Sequence, residues 1–145
     1  MKYRKLNRYK YSVMDDYTVQ VNIHPTSDLK FEFMELSTTG QLSVKLGYAW
    51  DGITPLPATP KCGLRGSLVH DVLYQMMRLG ALDYTIYRIN ADQMIKQLCV
   101  EDNTPRFLAW CIYVAVRTFG WLYSRPTEKK EVRILNAPQA SRASR

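Results

Sequence analysis

The chain has 145 residues, of which 46% are hydrophobic and 23% are charged, and its formal net charge is +7. This balance excludes a wholly disordered protein, and the length suffices for one hydrophobic core but not for two. Three cysteines are too few for a disulfide framework, form no zinc-binding pattern and indicate a reducing compartment.

Basic residues are concentrated at the two ends of the chain. Residues 1–10 carry five lysines and arginines and no acid, and residues 125–145 carry six basic and two acidic side chains. We therefore predict a single domain over residues 1–124, which begins with a basic arm (1–10), and an extended basic tail over 125–145. Such segments bind nucleic acid or anionic lipid, or they serve as solubilising or protein-docking tails.

The first third of the chain alternates apolar and polar residues, as β-strands do. The alternation runs over residues 17–23, over the first half of 29–36 and over 42–48. Thr39 followed by Gly40 is a turn signal between the last two runs. Short polar connections between adjacent strands predict an antiparallel β-meander of three to four strands.

Three α-helices are predicted after an irregular loop over residues 51–66, which is rich in proline and glycine. The first helix covers residues 67–79 and ends at Gly80. The second covers residues 83–100, with the first residue as its N-cap. The fold class that follows is α+β, with the meander packed against the three helices.

The third helix begins at Thr104, which a proline follows, and reaches about Tyr123. It is apolar nearly all round, but the run is shorter than a membrane span and Arg117 interrupts it. We therefore expect a central core helix with Trp110 and Tyr113 in the core, or one that also contributes to an oligomer interface.

The first two helices carry the residues that indicate a reactive site. Tyr74 lies one turn after His70 on the same face of the first helix. The short connection makes the second helix antiparallel to the first, which brings Asp92 to about the depth of His70. The Asp92 carboxylate would then fix the tautomer of His70, and the other ring nitrogen could deprotonate a water. Asp71 points to the adjacent sector and would be free to hold a cation.

A purely structural network is the alternative interpretation of these residues. A single histidine on a helix is commonly a structural hydrogen-bonding group, and Arg88 and Asp92 have the i,i+4 spacing of a surface salt bridge. Arg117 needs an acidic partner if it is buried in the apolar third helix. Asp71 or Asp92 would supply that partner, and Arg117 would then belong to the site.

Trp50 and Asp51 lie where the last predicted strand meets the loop. The two side chains could line a cleft over His70. Equally, Asp51 could only hydrogen-bond the turn backbone while Gly52 supplies a positive φ.

Four sequence blocks follow one another along the chain: GYAWDG at 47–52, HDVLY at 70–74, Arg88 with Ala91-Asp92, and YVAVRTFG at 113–120. In this order they resemble the DUF1353 family, a group of small, uncharacterised proteins common in tailed bacteriophages and prophages. The resemblance covers residues 42–124 and implies a phage origin without supplying an activity.

The His-Asp-x-x-Tyr run opposite an aspartate on an antiparallel helix also resembles secreted phospholipase A2. That resemblance implies His70 as general base, Asp92 as its orienting carboxylate, Asp71 as a calcium ligand and Tyr74 as a supporting hydrogen-bonding group. The sequence lacks the disulfide framework of those enzymes and their cysteine-paired, glycine-rich calcium loop. The loop that begins at Trp50 is the candidate replacement.

One expected function and two alternatives follow. We expect first a virion-associated structural or assembly component of a phage, located in the virion or the host cytoplasm. It would dock on other phage structural proteins through its basic tails and apolar helix, as an oligomer or within an assembly. The lower-ranked of the two alternatives is a phage effector that binds host factors or nucleic acid.

The higher-ranked alternative is a small hydrolase that acts on phospholipid or on an ester of the cell envelope, with calcium on Asp71 as its candidate cofactor. Its predicted site consists of the catalytic pair His70 and Asp92 and the supporting residues Tyr74, Arg88, Arg117, Trp50 and Asp51.

Overall fold

A computed structural model describes residues 1–5, 11–53 and 63–126. These residues form seven short β-strands followed by four α-helices. The strands are β1 (Tyr3–Lys5), β2 (Tyr11–Val13), β3 (Tyr17–Gln20), β4 (Leu29–Lys30), β5 (Met34–Leu36), β6 (Gln41–Val44) and β7 (Ala49–Trp50). The helices are α1 (Leu64–Arg78), α2 (Tyr84–Glu101), α3 (Arg106–Phe119) and α4 (Trp121–Ser124). The predicted α+β class is confirmed.

The strands form two antiparallel sheets rather than the single meander that the sequence predicts. One sheet has the strand order β1-β2-β7, and the other has the order β3-β6-β5-β4. In the second sheet β4, β5 and β6 form a meander, and β3 pairs with the other edge of β6. The predicted strand over 42–48 ends at Val44, because a turn follows and directs β7 to pair with β2 in the first sheet.

The predicted strand over residues 29–36 is a hairpin. The chain reverses after β4, where the Phe31 amide donates to the Met34 carbonyl at 2.9 Å, and Leu29 then lies opposite Leu36. A continuous strand would place Leu29 on the opposite face from Met34 and Leu36, because side chains alternate with period two. The reversal removes this conflict, and Met34 and Leu36 are both buried.

Part of the predicted basic arm belongs to a sheet. Strand β1 pairs with β2, so that Tyr3 lies opposite Val13. Residues 6–10 of the arm, 54–62 of the predicted loop and 127–145 of the predicted tail lie outside the described residues. The boundary between domain and tail therefore stays a prediction.

The first helix begins at Leu64, so residues 64–66 of the predicted loop are helical, and the second helix agrees with its prediction. The first ends beside Gly80, and Asp83 caps α2 by accepting a backbone N–H of the first turn at 2.8 Å. The third predicted helix is divided at Gly120 into α3 and α4, and its N-cap is Pro105 rather than Thr104. In the described part of the chain, no helix combines the length and the apolar character that crossing a membrane requires.

The main core joins the buried faces of the strands to α1 and α2. Helix α1 is the central helix, with eleven of its fifteen residues buried. Helix α3 is not a central core helix, since it buries only Ala109, Ile112 and Val116. Trp110 is 50% exposed and Tyr113 is half-buried, so the prediction that both lie in the core was wrong. The sequence of an apolar helix does not show which of its sides will pack against the rest of the protein.

Candidate functional site

The centre of the candidate site is the carboxylate of Asp92, which is fully buried on α2. Its Oδ1 accepts hydrogen bonds from His70 Nε2 at 2.9 Å and from the Tyr74 hydroxyl at 2.6 Å. Its Oδ2 accepts one from the Arg117 guanidinium at 2.9 Å. The structure therefore brings together the predicted pair His70–Asp92, and it makes Asp92 the acidic partner of the half-buried Arg117.

Arg88, in the second turn of α2, also belongs to this network. Its Nε lies 3.8 Å from Asp92 Oδ2 and donates to the Tyr74 hydroxyl at 3.3 Å. Another guanidinium nitrogen donates to the backbone carbonyl of Arg117. The pair Arg88–Asp92 is not a surface salt bridge, because the carboxylate is inaccessible to solvent and the Arg88 side chain is only 16% exposed.

The local sequence explains why these groups meet. His70 and Tyr74 are separated by four residues on α1, and their rings lie 4.0 Å apart between centroids. The short turn before Asp83 makes α2 antiparallel to α1, and the two helices pack against each other. Gly120 lets the junction of α3 and α4 approach α1 closely. A β-carbon at this position would collide with the Tyr74 hydroxyl.

Burial and the network shift the pKa values of the site in different directions. Burial alone would lower the pKa of His70, but the carboxylates of Asp71 and Asp92 outweigh it and raise that pKa. Burial alone would raise the pKa of Asp92, but its hydrogen bonds with His70, Tyr74 and Arg117 outweigh it and lower that pKa. Burial, together with the neighbouring Asp92, raises the pKa of Tyr74. Asp92 is therefore ionised at neutral pH, while Tyr74 stays a neutral donor.

A cavity of about 310 Å³ adjoins this network. His70 and Tyr74 line it on the α1 side, and Val116, Phe119 and Tyr123 line it on the side of α3 and α4. Its wall is thus partly polar and partly apolar, which is typical of sites that bind small organic molecules.

One ring nitrogen of His70 is not engaged by Asp92, and the residue is buried in the cavity wall. Nε2 is engaged by the buried Asp92, so the remaining nitrogen is Nδ1, which lies 4.0 Å from Oδ1 of Asp71. That distance is too long for a direct hydrogen bond. Asp71 also lines the cavity, and its side chain is 34% exposed. A neutral His70 that donates its Nε2 proton to Asp92 presents an unprotonated Nδ1, which is the form a general base needs.

The two residues predicted at the strand end have different positions. Asp51 lines the cavity, and Gly52 has the positive φ of 77° expected for the turn. Trp50 is not among the described cavity residues. It is buried and donates its indole N–H to Ser67 Oγ at 3.0 Å, which fixes β7 against α1.

The described residues do not fit a calcium site. Calcium takes six to eight oxygen ligands, with several carboxylates among them. Asp51 and Asp71 both line the cavity, but within residues 1–5, 11–53 and 63–126 no three His, Cys, Asp or Glu side chains are grouped to hold a metal ion.

Several cavity residues were not singled out from the sequence, among them Arg78, Phe119 and Tyr123. A signal for Arg78 existed, because it follows Asp71 by seven residues and therefore lies on the same side of α1. One nitrogen of its guanidinium donates to the Tyr123 carbonyl at 3.0 Å. Phe119 and Tyr123 carried no signal, since both belong to a stretch that is apolar on every side.

Comparisons of the chain with family models, with curated proteins and with solved structures found no match.

Proposed function

We propose that the protein is a small hydrolase that cleaves esters by general-base catalysis. The observation that carries the proposal is the position of His70, whose Nε2 is held by the buried Asp92 while the ring forms part of the wall of a cavity. An imidazole that is oriented by a carboxylate and open to a ligand on its other nitrogen is suited to activating a water.

In the proposed reaction Nδ1 of His70 takes a proton from a water in the cavity. The resulting hydroxide attacks the ester carbonyl carbon, and the tetrahedral intermediate collapses with cleavage of the bond to the alkoxide. The proton on Nδ1 passes to the alkoxide, so the products are an alcohol and a carboxylic acid, which ionises. Asp92 stabilises the transient imidazolium and keeps the ring in its orientation.

Two further features of the cavity support ester chemistry. The guanidinium of Arg78 has N–H groups beyond the one donated to Tyr123, and these can stabilise the negative charge on the intermediate oxygen. Ile95, Val116 and Phe119 form an apolar wall that can bind the acyl or alcohol part of the substrate. Esters with an apolar chain are therefore the preferred substrate class.

The test compares hydrolysis of para-nitrophenyl esters of increasing chain length by the wild type, His70→Gln and His24→Gln. These are the two histidines of the chain, and His24 lies on the surface, bonded to the Thr38 carbonyl. His70→Gln should lower kcat/KM by about 100-fold or more, while His24→Gln should not change it. Wild-type activity should rise with pH through the raised pKa of His70, because only the neutral imidazole accepts a proton. Equal activity of both variants would overturn the proposal.

The particle-assembly role that the sequence favoured first stays a prediction. It depends mainly on the basic tails, and residues 6–10 and 127–145 lie outside the described part of the chain. Its test is the presence of the protein in purified phage particles, and absence from them would exclude it.

A further inference from the structure

One side of α3 is apolar and exposed along its whole length. Phe107, Trp110 and Val114 lie on the side of the helix opposite to its buried residues. Trp121 continues this row, because Gly120 keeps helical dihedral angles between α3 and α4. We call these four side chains the aromatic stripe; their exposed fractions are 75%, 50%, 38% and 42% in chain order. A row of large apolar side chains in water marks a binding surface.

Positive charge accompanies the aromatic stripe. Residues 106–126 contain three arginines and no acidic residue. Arg117 is neutralised by Asp92, which leaves the exposed Arg106 and Arg125 at the two ends of the segment. The guanidinium carbon of Arg125 lies 4.7 Å from the centre of the Trp121 ring. Tryptophan next to arginine on an exposed helix is typical of segments that lie in the headgroup region of a bilayer.

We propose that the aromatic stripe docks the protein on an anionic lipid surface. The aromatic side chains would enter the boundary between headgroups and acyl chains, and Arg106 and Arg125 would contact the lipid phosphates. The helix would lie in the plane of the surface, consistent with apolar side chains on both the docking side and the protein side.

A second copy of the chain fits this surface less well. In a two-fold symmetric contact the same segment faces itself, so Arg106 and Arg125 would face arginines with no acid in residues 106–126 to pair with them. Nucleic acid would bind the arginines but leave Val114 and the neighbouring Leu122, which is 58% exposed, without an apolar partner. An anionic bilayer satisfies both the charge and the apolar side chains.

Docking in this orientation leaves the cavity on the other side of the helix. Phe119 follows Ile112 by seven residues and Tyr123 follows Val116 by seven, so both lie on the side of the buried residues, where they line the cavity with His70. The docking therefore does not depend on the proposed function.

The experiment measures binding of the full chain to vesicles of phosphatidylcholine, with and without phosphatidylglycerol, by sedimentation and by tryptophan fluorescence. Trp50 is buried, so a fluorescence change on binding reports mainly on Trp110 and Trp121. The test variants are the double variant Phe107→Ser/Trp110→Ser and, at the other end of the stripe, Trp121→Ser. Ile86→Ser, which removes a 59% exposed apolar side chain from α2, is the matched control.

We expect the wild type and Ile86→Ser to bind the phosphatidylglycerol vesicles equally. The double variant should lose about ten-fold or more in affinity, and Trp121→Ser should lose part of it. Because every variant keeps both basic tails, such a loss assigns binding to the stripe. His70→Gln should bind as the wild type does, even where hydrolysis is lost, which separates docking from catalysis.

Three results would overturn the inference. The first is that the wild type binds neither kind of vesicle. The second is that the double variant binds as tightly as the wild type, which would assign lipid binding to the tails. The third is that the wild type self-associates or binds DNA, and that the double variant loses this property but still binds vesicles as the wild type does. The stripe would then bind a second copy or nucleic acid instead of lipid.

Discussion

Replacing Asp92 by asparagine should destabilise the protein strongly, although the two side chains have nearly the same shape. The substitution removes the one negative charge that His70, Arg88 and Arg117 share inside the fold. The amide can still accept a hydrogen bond from Tyr74, but its nitrogen would face groups that can only donate. The cost therefore comes from cations left without an anion rather than from a change in packing.

The structure allows the size of this effect to be estimated. Breaking a buried ion pair by removing one partner costs about 3–5 kcal/mol. The Arg117 side chain is 35% exposed and can turn partly towards water, so we expect the lower part of that range, about 3 kcal/mol. For a domain of this length, that corresponds to a fall in Tm of roughly 10 °C.

Asp71→Asn is the matched control, because it makes the same chemical change one residue after His70. The Asp71 side chain is about a third exposed and lies 4.0 Å from Nδ1 of His70. A partly exposed pair of this kind contributes at most about 1 kcal/mol. The two variants should therefore differ by about 2 kcal/mol in their free energy of unfolding.

The assay is urea unfolding followed by circular dichroism, with the m-value checked for each variant. The lowered pKa of Asp92 also fixes the sign of the pH dependence. Its stabilisation is present above the unfolded-state pKa and is lost as pH falls through the folded-state value. The difference between the wild type and Asp92→Asn should therefore shrink in acid. Equal costs for Asp92→Asn and Asp71→Asn, or a difference that does not change with pH, would refute this account of the network.

Two further predictions concern the same network. The pKa of His70 is raised above its usual 6.5, so its stabilisation is complete below that pH and is lost as pH rises through the folded-state value. The unfolding free energy of the wild type should therefore decline as pH rises through the folded-state pKa of His70, and that of His70→Gln should not. If the unfolding free energies of both proteins change in parallel with pH, the decline does not come from His70. Gly120→Ala should cost about 1–3 kcal/mol, because the added methyl group meets both the Tyr74 hydroxyl and the Val116 carbonyl. Thermal unfolding should show a smaller but not a zero cost in a Tyr74→Phe background, and an equal cost would place the strain at the carbonyl alone.

The helix pair and its buried contacts were predictable because their signals are local. Spacing of four residues puts His70 and Tyr74 on one face, and an N-cap followed by a short turn sets the direction of α2. The need of Arg117 for an acidic partner followed from the cost of leaving a buried cation unpaired, with Asp71 and Asp92 as the two candidates. Each of these inferences requires only that one helix, or two consecutive helices, be predicted correctly.

The sheets and the outer side of α3 were not predictable in the same way. Alternation over residues 29–36 shows which side chains share a face of a strand, but not whether the chain reverses within the run. The apolar pattern of α3 likewise does not reveal that Trp110 faces solvent. The spacing of Asp71 and Arg78 puts both on one side of α1, but it does not reveal the long-range return of α4 that brings the Tyr123 carbonyl to Arg78.

The Asp92 carboxylate joins three consecutive helices, which bears on how the protein folds. It binds His70 and Tyr74 from α1, while Arg117 comes from α3. A helical hairpin of α1 and α2 alone would leave Oδ2 without its hydrogen bond from Arg117, and burying that oxygen would then be less favourable. The hairpin therefore gains its full stability only when α3 has docked, so the three helices unfold as one cooperative unit. A shortened chain that ends before α3 would lose more than the contacts of that helix.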